Sequence, residues 1–135
     1  MEDWKPPKFG HPIWMSISAT DIDRAHKFYL TVFGWTFKAH AEPASKIRGF
    51  EFTPDLNLSG GILLVPDRSG VLKTGHGGTT VTWHVEDLEK TSEAIVSAGG
   101  KMLSEPQPES GFGEYRYFED TEGNVGGIYQ IIKKE

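Results

Sequence analysis

The sequence contains no cysteine, no long apolar run and no excess of positive charge. Without cysteine among its 135 residues, the chain cannot form a disulfide, a zinc–thiolate site or a cysteine nucleophile. No segment approaches the roughly 18 consecutive apolar residues of a membrane helix, and the first residues lack the apolar core of a signal peptide. We therefore expect a cytoplasmic protein without a membrane partner. Because the chain has 14 Lys and Arg but 19 Asp and Glu, its negative net charge also argues against a nucleic-acid partner.

Two stretches of the chain predict the same order of elements, a strand and a capped helix followed by three strands. In the first stretch Asp21 caps the helix and Gly34 ends it, while in the second Asp87 caps the helix and Gly99-Gly100 ends it. The alternating segments predict strands at residues 13–19, 35–37, 47–52, 61–65, 79–85, 101–103, 114–118 and 125–132. The sequence thus predicts two βαβββ modules at 11–66 and 79–132, a linker at 67–78 and an N-terminal arm at 1–10.

A constant offset of 66 residues relates the two predicted modules. It aligns the caps Asp21 and Asp87, and it places the strand aromatic Phe52 on Phe118. The helix ends and the glycine-rich start of the last strand keep the same register without a gap. We interpret this pattern as an internal duplication.

Two segments of the chain, TDIDRAHKFYLTVFGW at 20–35 and FEDTEGN at 118–124, are recognisable as motifs. The first is similar to the first helix of the vicinal oxygen chelate superfamily, and the second is similar to the F-x-D-P-x-G-N turn of the same superfamily. The resemblance covers residues 11–132 and implies one α+β domain of the glyoxalase/bleomycin resistance/dioxygenase fold. In that fold two tandem βαβββ modules form a curled eight-stranded mixed sheet around a small-molecule ligand, often within a homodimer. Pairing of the modules within one chain or across a dimer stays open.

The resemblance also implies four strand positions at which the enzymes of the superfamily hold a divalent metal. In this sequence those positions are occupied by Trp14, Gly61, Thr80 and Gly127. None of these side chains ligates a divalent ion as histidine or a carboxylate does. We therefore expect no metal and no other cofactor. An off-pattern metal site is the alternative, built from His11, His76 and His84.

Strand alternation predicts which side chains face the ligand. If the side chains at positions 14 and 80 point toward the ligand, so do the side chains at every second residue of the same strands, and the neighbouring strands alternate in the same way. In this alternation Glu51 is the counterpart of Tyr117. The predicted lining is aromatic and weakly polar, with one carboxylate and one imidazole: Trp14, Ser16, Glu51, Leu63, Thr80, Thr82, His84, Tyr115, Tyr117 and Tyr129. Such a surface suits a flat, oxygenated organic molecule. Arg116 has the opposite parity, so we expect it at an edge or a dimer interface.

The lining, together with what the resemblance implies, leaves three functions open. The first is a metal-independent lyase or isomerase, in which Glu51 or His84 moves a proton and Tyr117 stabilises an oxyanion while the other lining residues bind substrate. The second is a non-catalytic protein of the resistance type that binds and sequesters a small molecule. The third is a metal-dependent glyoxalase or dioxygenase.

Overall fold

The computed structural model of the chain describes residues 8–9, 11–38, 46–52, 56, 58–65, 73–76 and 80–132. Most of the predicted arm at 1–10 and most of the predicted linker at 67–78 lie outside the described residues. The chain divides into two units, Met1–Lys73 and Thr74–Glu135. Neither helix of the described part is long and apolar enough to cross a membrane.

The first unit contains a three-stranded sheet and one helix. Its elements are β1 (Trp14–Ala19), α1 (Ile22–Phe33), β2 (Ile47–Glu51) and β3 (Ser59–Leu64). Strand β3 is central, parallel to β1 and antiparallel to β2. The strand predicted at 35–37 is reduced to one bridge between Phe37 and Phe50. The Trp35 ring is buried in the core and stacks on Tyr29 with 4.7 Å between centroids.

The second unit contains a five-stranded sheet and the other helix. Its elements are β4 (Thr82–His84), α2 (Leu88–Ser97), β5 (Lys101–Met102), β6 (Gln107–Glu109), β7 (Gly113–Glu119) and β8 (Val125–Ile131). The strand order is β4-β8-β7-β5, and β6 pairs with β7. The sequence patterns do not predict β6, because Gln-Pro-Glu has no apolar alternation and contains proline. A turn with positive φ at Ser110 (52°) and Gly111 (72°) joins β6 to β7, and this pair of angles is typical of a type I′ hairpin.

Both predicted helix starts are confirmed. The Asp21 carboxylate accepts the backbone N–H of Arg24 at 3.0 Å, and the Asp87 carboxylate accepts that of Lys90 at 2.9 Å. At the other end of α1, Gly34 has a φ of 71°, the left-handed conformation that glycine adopts at helix ends. Each cap is expected to contribute about 1 kcal/mol to the free energy of unfolding.

Each helix covers one face of its own sheet. In the first unit Phe28 of α1 is buried together with Phe50 and Ile62 of the strands. In the second unit Ile95 of α2 is buried together with Phe118 and Ile128. Burying each such side chain contributes roughly 1.5–3 kcal/mol. Mixed sheets with a helix on one face make an α+β fold, which confirms the predicted class.

The repeat has a different register from the predicted one at β2 and β7. Phe50 lies opposite Gly60, and Phe118 lies opposite Gly126. In each pair the ring covers the glycine, since a Cβ atom added at the glycine would come within 2.6 Å of the ring Cζ. The predicted match of Phe52 with Phe118 at an offset of 66 is therefore wrong. The counterpart of Phe118 is Phe50, at an offset of 68.

The motif R-x-F-E makes the corrected register visible in the sequence. It occurs at 48–51 and at 116–119, and in both units its arginine reaches the helix. The Arg48 guanidinium donates to Nδ1 of His26 at 2.6 Å, and that of Arg116 donates to Oγ of Ser92 at 3.1 Å. Since His26 and Ser92 are themselves 66 residues apart, the strand-to-helix link is repeated in both units.

Arg116 lies on the side of β7 that its parity predicts. Its side chain is partly buried and also donates through Nε to the carbonyl oxygen of Ser104 at 2.9 Å. Ser104 lies in the chain between β5 and β6, which pair with β7 on the side away from β8. The expected position of Arg116 at an edge or a dimer interface stays a prediction.

Candidate functional site

Strand register places most of the predicted site residues on the sheet faces that the helices leave uncovered. On the first sheet these residues are Trp14, Ser16, Glu51 and Leu63. On the second sheet they are Thr82, His84, Tyr115, Tyr117 and Tyr129. Thr80 precedes β4 and is exposed. Because the two sets belong to different units, each is described on its own sheet.

On the first sheet the Trp14 indole dominates the open face. Its side chain is 48% exposed, and its Nε1–H donates to Oγ of Ser16 at 2.7 Å. The ring lies against Gly61, where an added Cβ would come within 3.1 Å of the indole and 3.0 Å of the Ile47 side chain. Leu63 lies opposite Ile47 on the neighbouring strand. This face is largely apolar and offers one ring for stacking.

Glu51, the predicted base, forms an ion pair with Lys38. The Lys38 Nζ lies 3.0 Å from its Oε1, and the carboxylate side chain is 31% exposed. The predicted match of Glu51 with Tyr117 is wrong, because in the corrected register the counterpart of Glu51 is Glu119. Glu119 in turn accepts a hydrogen bond from Nε2 of His76 at 2.7 Å. The glutamate at this strand end therefore binds a nitrogen base or cation in both units.

On the second sheet four rings form a continuous aromatic row: Phe112, Tyr129, Tyr115 and Tyr117. Tyr115 and Tyr129 are cross-strand partners and stack almost in parallel, with an angle of 3° and 6.4 Å between centroids. Tyr117 meets Tyr115 edge to face at 5.7 Å, and Phe112 meets Tyr129 at 6.4 Å. Tyr117 and Phe112, at the two ends, are 41% and 42% exposed. Cross-strand pairing thus fixes a row of rings that solvent reaches.

The Tyr129 hydroxyl donates a hydrogen bond to the Glu109 carboxylate. This bond raises the pKa of Tyr129 to about 12, so the phenol stays neutral and remains a donor at physiological pH. Gly113 makes room for the ring, since a Cβ there would come within 2.6 Å of Tyr129 Cε1. Sequence reasoning missed Glu109 because it missed β6. The Ser-Gly pair that follows Glu109 is the turn signal that could have revealed this hairpin.

His84 extends the same cross-strand row, because it lies opposite Tyr129 on β8. Next to it is a cavity of about 520 Å³, lined by His84, Val85, Glu86, Phe112 and Ile131. A volume of this size is in the range that holds a small organic ligand. His84 and Phe112 connect the cavity to the aromatic row.

The four positions that the resemblance links to a divalent metal do not fit one. Besides Trp14 and Thr80, two are glycines that lie close under other side chains. A Cβ at Gly127 would come within 2.7 Å of Thr82 Oγ1, and Gly61 lies under the Trp14 ring. Neither strand position has space for a carboxylate in the present packing. The donor set therefore disagrees with the metal chemistry that the resemblance implies.

The alternative metal site built from His11, His76 and His84 is not found in the part of the chain that the structure describes. Among those residues no three His, Asp or Glu side chains are grouped so that they could hold a metal ion. The His76 ring is instead hydrogen-bonded to Glu119. The segment that carries His76 is fixed by a hydrogen bond from the Gly75 backbone N–H to the Asn124 side-chain oxygen, at 2.9 Å.

Comparison with known proteins places these features in a family context. Residues 9–125 match the family model described as Glyoxalase/Bleomycin resistance protein/Dioxygenase superfamily. A glyoxylase-like domain-containing protein of Didymella fabae is 36% identical over 122 residues, which cover 84% of this chain and 88% of the relative.

Two solved structures are similar in fold. A glyoxalase-related enzyme from Fulvimarina pelagi has a TM-score of 0.73 at 19% identity, covering 90% of this chain and 88% of that one. TnmS3, an antibiotic binding protein from Streptomyces sp. CB03234, has a TM-score of 0.66 at 16% identity, covering 93% and 99%. At these identities the similarity supports the fold alone.

Proposed function

The chain belongs to the Glyoxalase/Bleomycin resistance protein/Dioxygenase superfamily, and from this premise we propose that its second unit binds a flat, oxygenated aromatic molecule and holds it without chemical change. The observation that carries this proposal is the aromatic row. The near-parallel stack of Tyr115 on Tyr129, flanked by the exposed rings of Tyr117 and Phe112, is a surface suited to a planar ligand.

Polar groups around the row would orient such a ligand. Glu109 accepts from Tyr129 through one oxygen and has further lone pairs for a ligand hydroxyl. His84 offers a ring nitrogen at the neighbouring position of the same cross-strand row. Few polar groups beside a mostly aromatic wall are typical of small-molecule sites.

Binding without catalysis is consistent with the interactions that the Glu51 and Glu109 carboxylates make. The Glu51 carboxylate binds Lys38, and Glu109 binds the neutral phenol of Tyr129. Neither arrangement resembles an isolated, desolvated base. The similarity in fold to an antibiotic binding protein supports the compatibility of this fold with a binding role.

The Tyr115→Ala variant tests the proposal with 7-hydroxyflavone as the probe. We expect its dissociation constant to rise about fivefold, since an aromatic stack contributes about 1 kcal/mol, and we expect the probe to be recovered unchanged after long incubation. Phe9→Ala, which removes an exposed ring outside the row, should leave the affinity unchanged. Equal affinities for both variants and the wild type would rule out the aromatic row as the binding surface.

Metal-independent proton transfer is the second candidate, and the position of His84 favours it. His84 lies opposite Tyr129, whose hydroxyl stays protonated, so an imidazole base and a phenol donor occupy one row. His84 would take a proton from the carbon next to a ligand carbonyl and return it, and the Tyr129 hydroxyl would transfer its hydrogen bond from Glu109 to the enolate oxygen.

Deuterium exchange into 1-indanone in D₂O tests this candidate. If His84 is the base, the protein accelerates exchange at the carbon next to the carbonyl, and His84→Gln abolishes the acceleration. Glu51→Gln serves as the comparison, because Glu51 is the other predicted base. The catalytic assignment is excluded if the wild type does not accelerate exchange or if both variants retain it.

A further inference from the structure

We propose that the ligand of the aromatic row is an organic cation, such as a flat aromatic ring that carries a permanent or protonated nitrogen charge. This inference rests on the proposed function and adds the charge class of the ligand. It follows from three features of the second unit: its charge balance, the place of its carboxylates and the place of its few cationic side chains.

The second unit is strongly acidic. Its residues 74–135 contain eleven Asp and Glu and five Lys and Arg. An excess of this size produces a negative potential around the unit, which raises the local concentration of cations and repels anions. Charge balance alone does not locate a site, so the positions of the individual charges decide where a cation would bind.

The three cationic side chains of residues 80–132 do not belong to the aromatic row. Lys90 belongs to helix α2, on the covered side of the sheet. Arg116 is bound to Ser92 and Ser104 behind the sheet. Lys101 lies opposite Glu119, beyond Tyr117 and therefore at the end of the row away from Phe112 and Glu109. Among the described residues of this unit, no Lys or Arg side chain therefore lies at the Phe112 end of the row.

Two carboxylates border the row where the rings are most accessible. Glu109 is bound to the Tyr129 hydroxyl. Glu86 lines the cavity of about 520 Å³ together with Phe112 and His84. Phe112 and Glu86 thus line the same cavity, and Tyr129, the ring next to Phe112, is hydrogen-bonded to Glu109. A cation above these rings would gain attraction from the ring faces and from both carboxylates.

The same geometry disfavours the other charge classes. An anionic ligand at the Phe112 end would approach Glu109 and Glu86, and in the described part of this unit no guanidinium or ammonium group lies there to neutralise it. A neutral ring would stack on the tyrosines but gain no charge attraction from the carboxylates. Charge complementarity therefore selects the cation among flat molecules of equal shape.

Three probes that share one ring system test the inference. N-methylacridinium is cationic, acridine is neutral at pH 7.5, and acridine-9-carboxylate is anionic. Isothermal titration of the full chain should give a dissociation constant about tenfold lower for the cation than for the neutral ring, as expected for a cation–π contact strengthened by a carboxylate. The anion should bind more weakly than the neutral ring.

The Glu109→Gln variant, with Glu114→Gln as its control, locates the preference. Glu114 is on the same sheet but has the opposite parity and lines a separate cavity with Arg116 and Gln130. Both changes remove one negative charge, so both alter the net charge equally. We expect Glu109→Gln to reduce the preference for the cation about threefold and Glu114→Gln to leave it unchanged. Glu86→Gln should act like Glu109→Gln, which provides a second variant if the first is unstable.

The outcomes separate this inference from the proposed function. Equal binding of the three probes, with sensitivity to Tyr115→Ala, would overturn the charge class and leave aromatic binding in place. An equal effect of Glu109→Gln and Glu114→Gln would also overturn it, because the preference would then come from net charge alone. Absence of binding for all three probes would overturn both proposals.

Discussion

At the scale of single residues, glycine in these sheets leaves space for aromatic rings. Gly60 lies under Phe50, Gly126 lies under Phe118, and Gly113 lies beside the Tyr129 ring. At each of these sites an added Cβ would come within 2.6 Å of a ring atom. The abundance of glycine, 16 residues in all, therefore reflects close packing as well as helix ends and turns.

Alanine at two glycines of one sheet provides a matched test. A Cβ at Gly60 would come within 2.3 Å of the Met15 carbonyl oxygen, whereas a Cβ at Gly49 has no neighbour closer than 3.8 Å. We expect Gly60→Ala to lower the free energy of unfolding by about 1–3 kcal/mol through overpacking. Gly49→Ala should change it by no more than about 1 kcal/mol, because it mainly restricts the unfolded chain. Urea unfolding measures both, and equal losses would contradict the packing argument.

Alternation along the strands predicted part of the candidate site. It placed Tyr115, Tyr117 and Tyr129 on one face, and the ring contacts join them there. Their role as ligand contacts stays a prediction. Alternation did not predict Glu109, because its strand β6 is only three residues long and contains Pro108. So short a strand shows no alternation of apolar and polar residues.

At the scale of elements, one arginine in a strand of each unit hydrogen-bonds to the helix and so fixes the helix to its sheet. In the first unit Arg48 donates to His26 and pairs with Asp23 at 3.0 Å. An arginine has no acceptor, so Nδ1 of His26 must be the unprotonated nitrogen. Burial, together with the Arg48 charge, lowers the pKa of His26, and the Asp23 charge opposes this effect.

The His26→Ser variant tests the pH dependence of this link. Because the folded chain lowers the pKa of His26, the unfolded chain binds the proton first as the pH falls. The stabilisation by neutral His26 is therefore complete above about pH 6.5, the usual histidine pKa, and decreases as the pH falls further. Serine is the residue at the equivalent position of the second unit, where it accepts a hydrogen bond from arginine. The variant therefore keeps an acceptor for Arg48.

We expect the wild type to lose more stability than His26→Ser between pH 7.5 and pH 5.5. Urea unfolding at the two pH values measures this difference between the two losses. The variant also loses the stack of His26 on Phe37, but that loss of stability is the same at both pH values and does not affect the difference. An identical loss in both proteins would show that His26 does not carry this pH dependence.

The elements themselves were mostly predictable, and their register was less so. Asp21, Asp87 and Gly34 marked helix ends correctly, because capping depends on local hydrogen bonds. Registers depend on which strands meet and on the length of the loops between them. The R-x-F-E motif carried the register of β2 and β7, but comparison at a single fixed offset does not align it.

At the scale of the whole molecule, the two units have the same plan and different open faces. The first sheet presents the Trp14 ring above Gly61, and the second presents the aromatic row with its carboxylates. Glycine occupies positions 61 and 127 in these two arrangements. The chain belongs to the family, while glycine, threonine and tryptophan occupy the four positions that the resemblance links to a metal.

Metal content is the corresponding test of the whole molecule. After incubation with Zn²⁺, Mn²⁺ or Ni²⁺ and desalting, we expect far less than one metal ion per chain, because the donor set at those positions is unsuited to a divalent ion. Probe binding should be the same with and without EDTA. A stoichiometric metal ion that survives desalting would contradict this expectation and reopen the metal-dependent functions.

The shifted R-x-F-E motif also bears on the ancestry of the two halves. Relative to the first copy, the second has two residues more before this motif and two fewer between the motif and its last strand. The two differences are equal in size and opposite in sign, so the period of 66 residues returns after the motif. Glu109 lies in the longer segment, on strand β6, so the two halves differ in a strand as well as in their loops. Transfer of residue roles between the copies, or from relatives, must follow the motif and not the numbering.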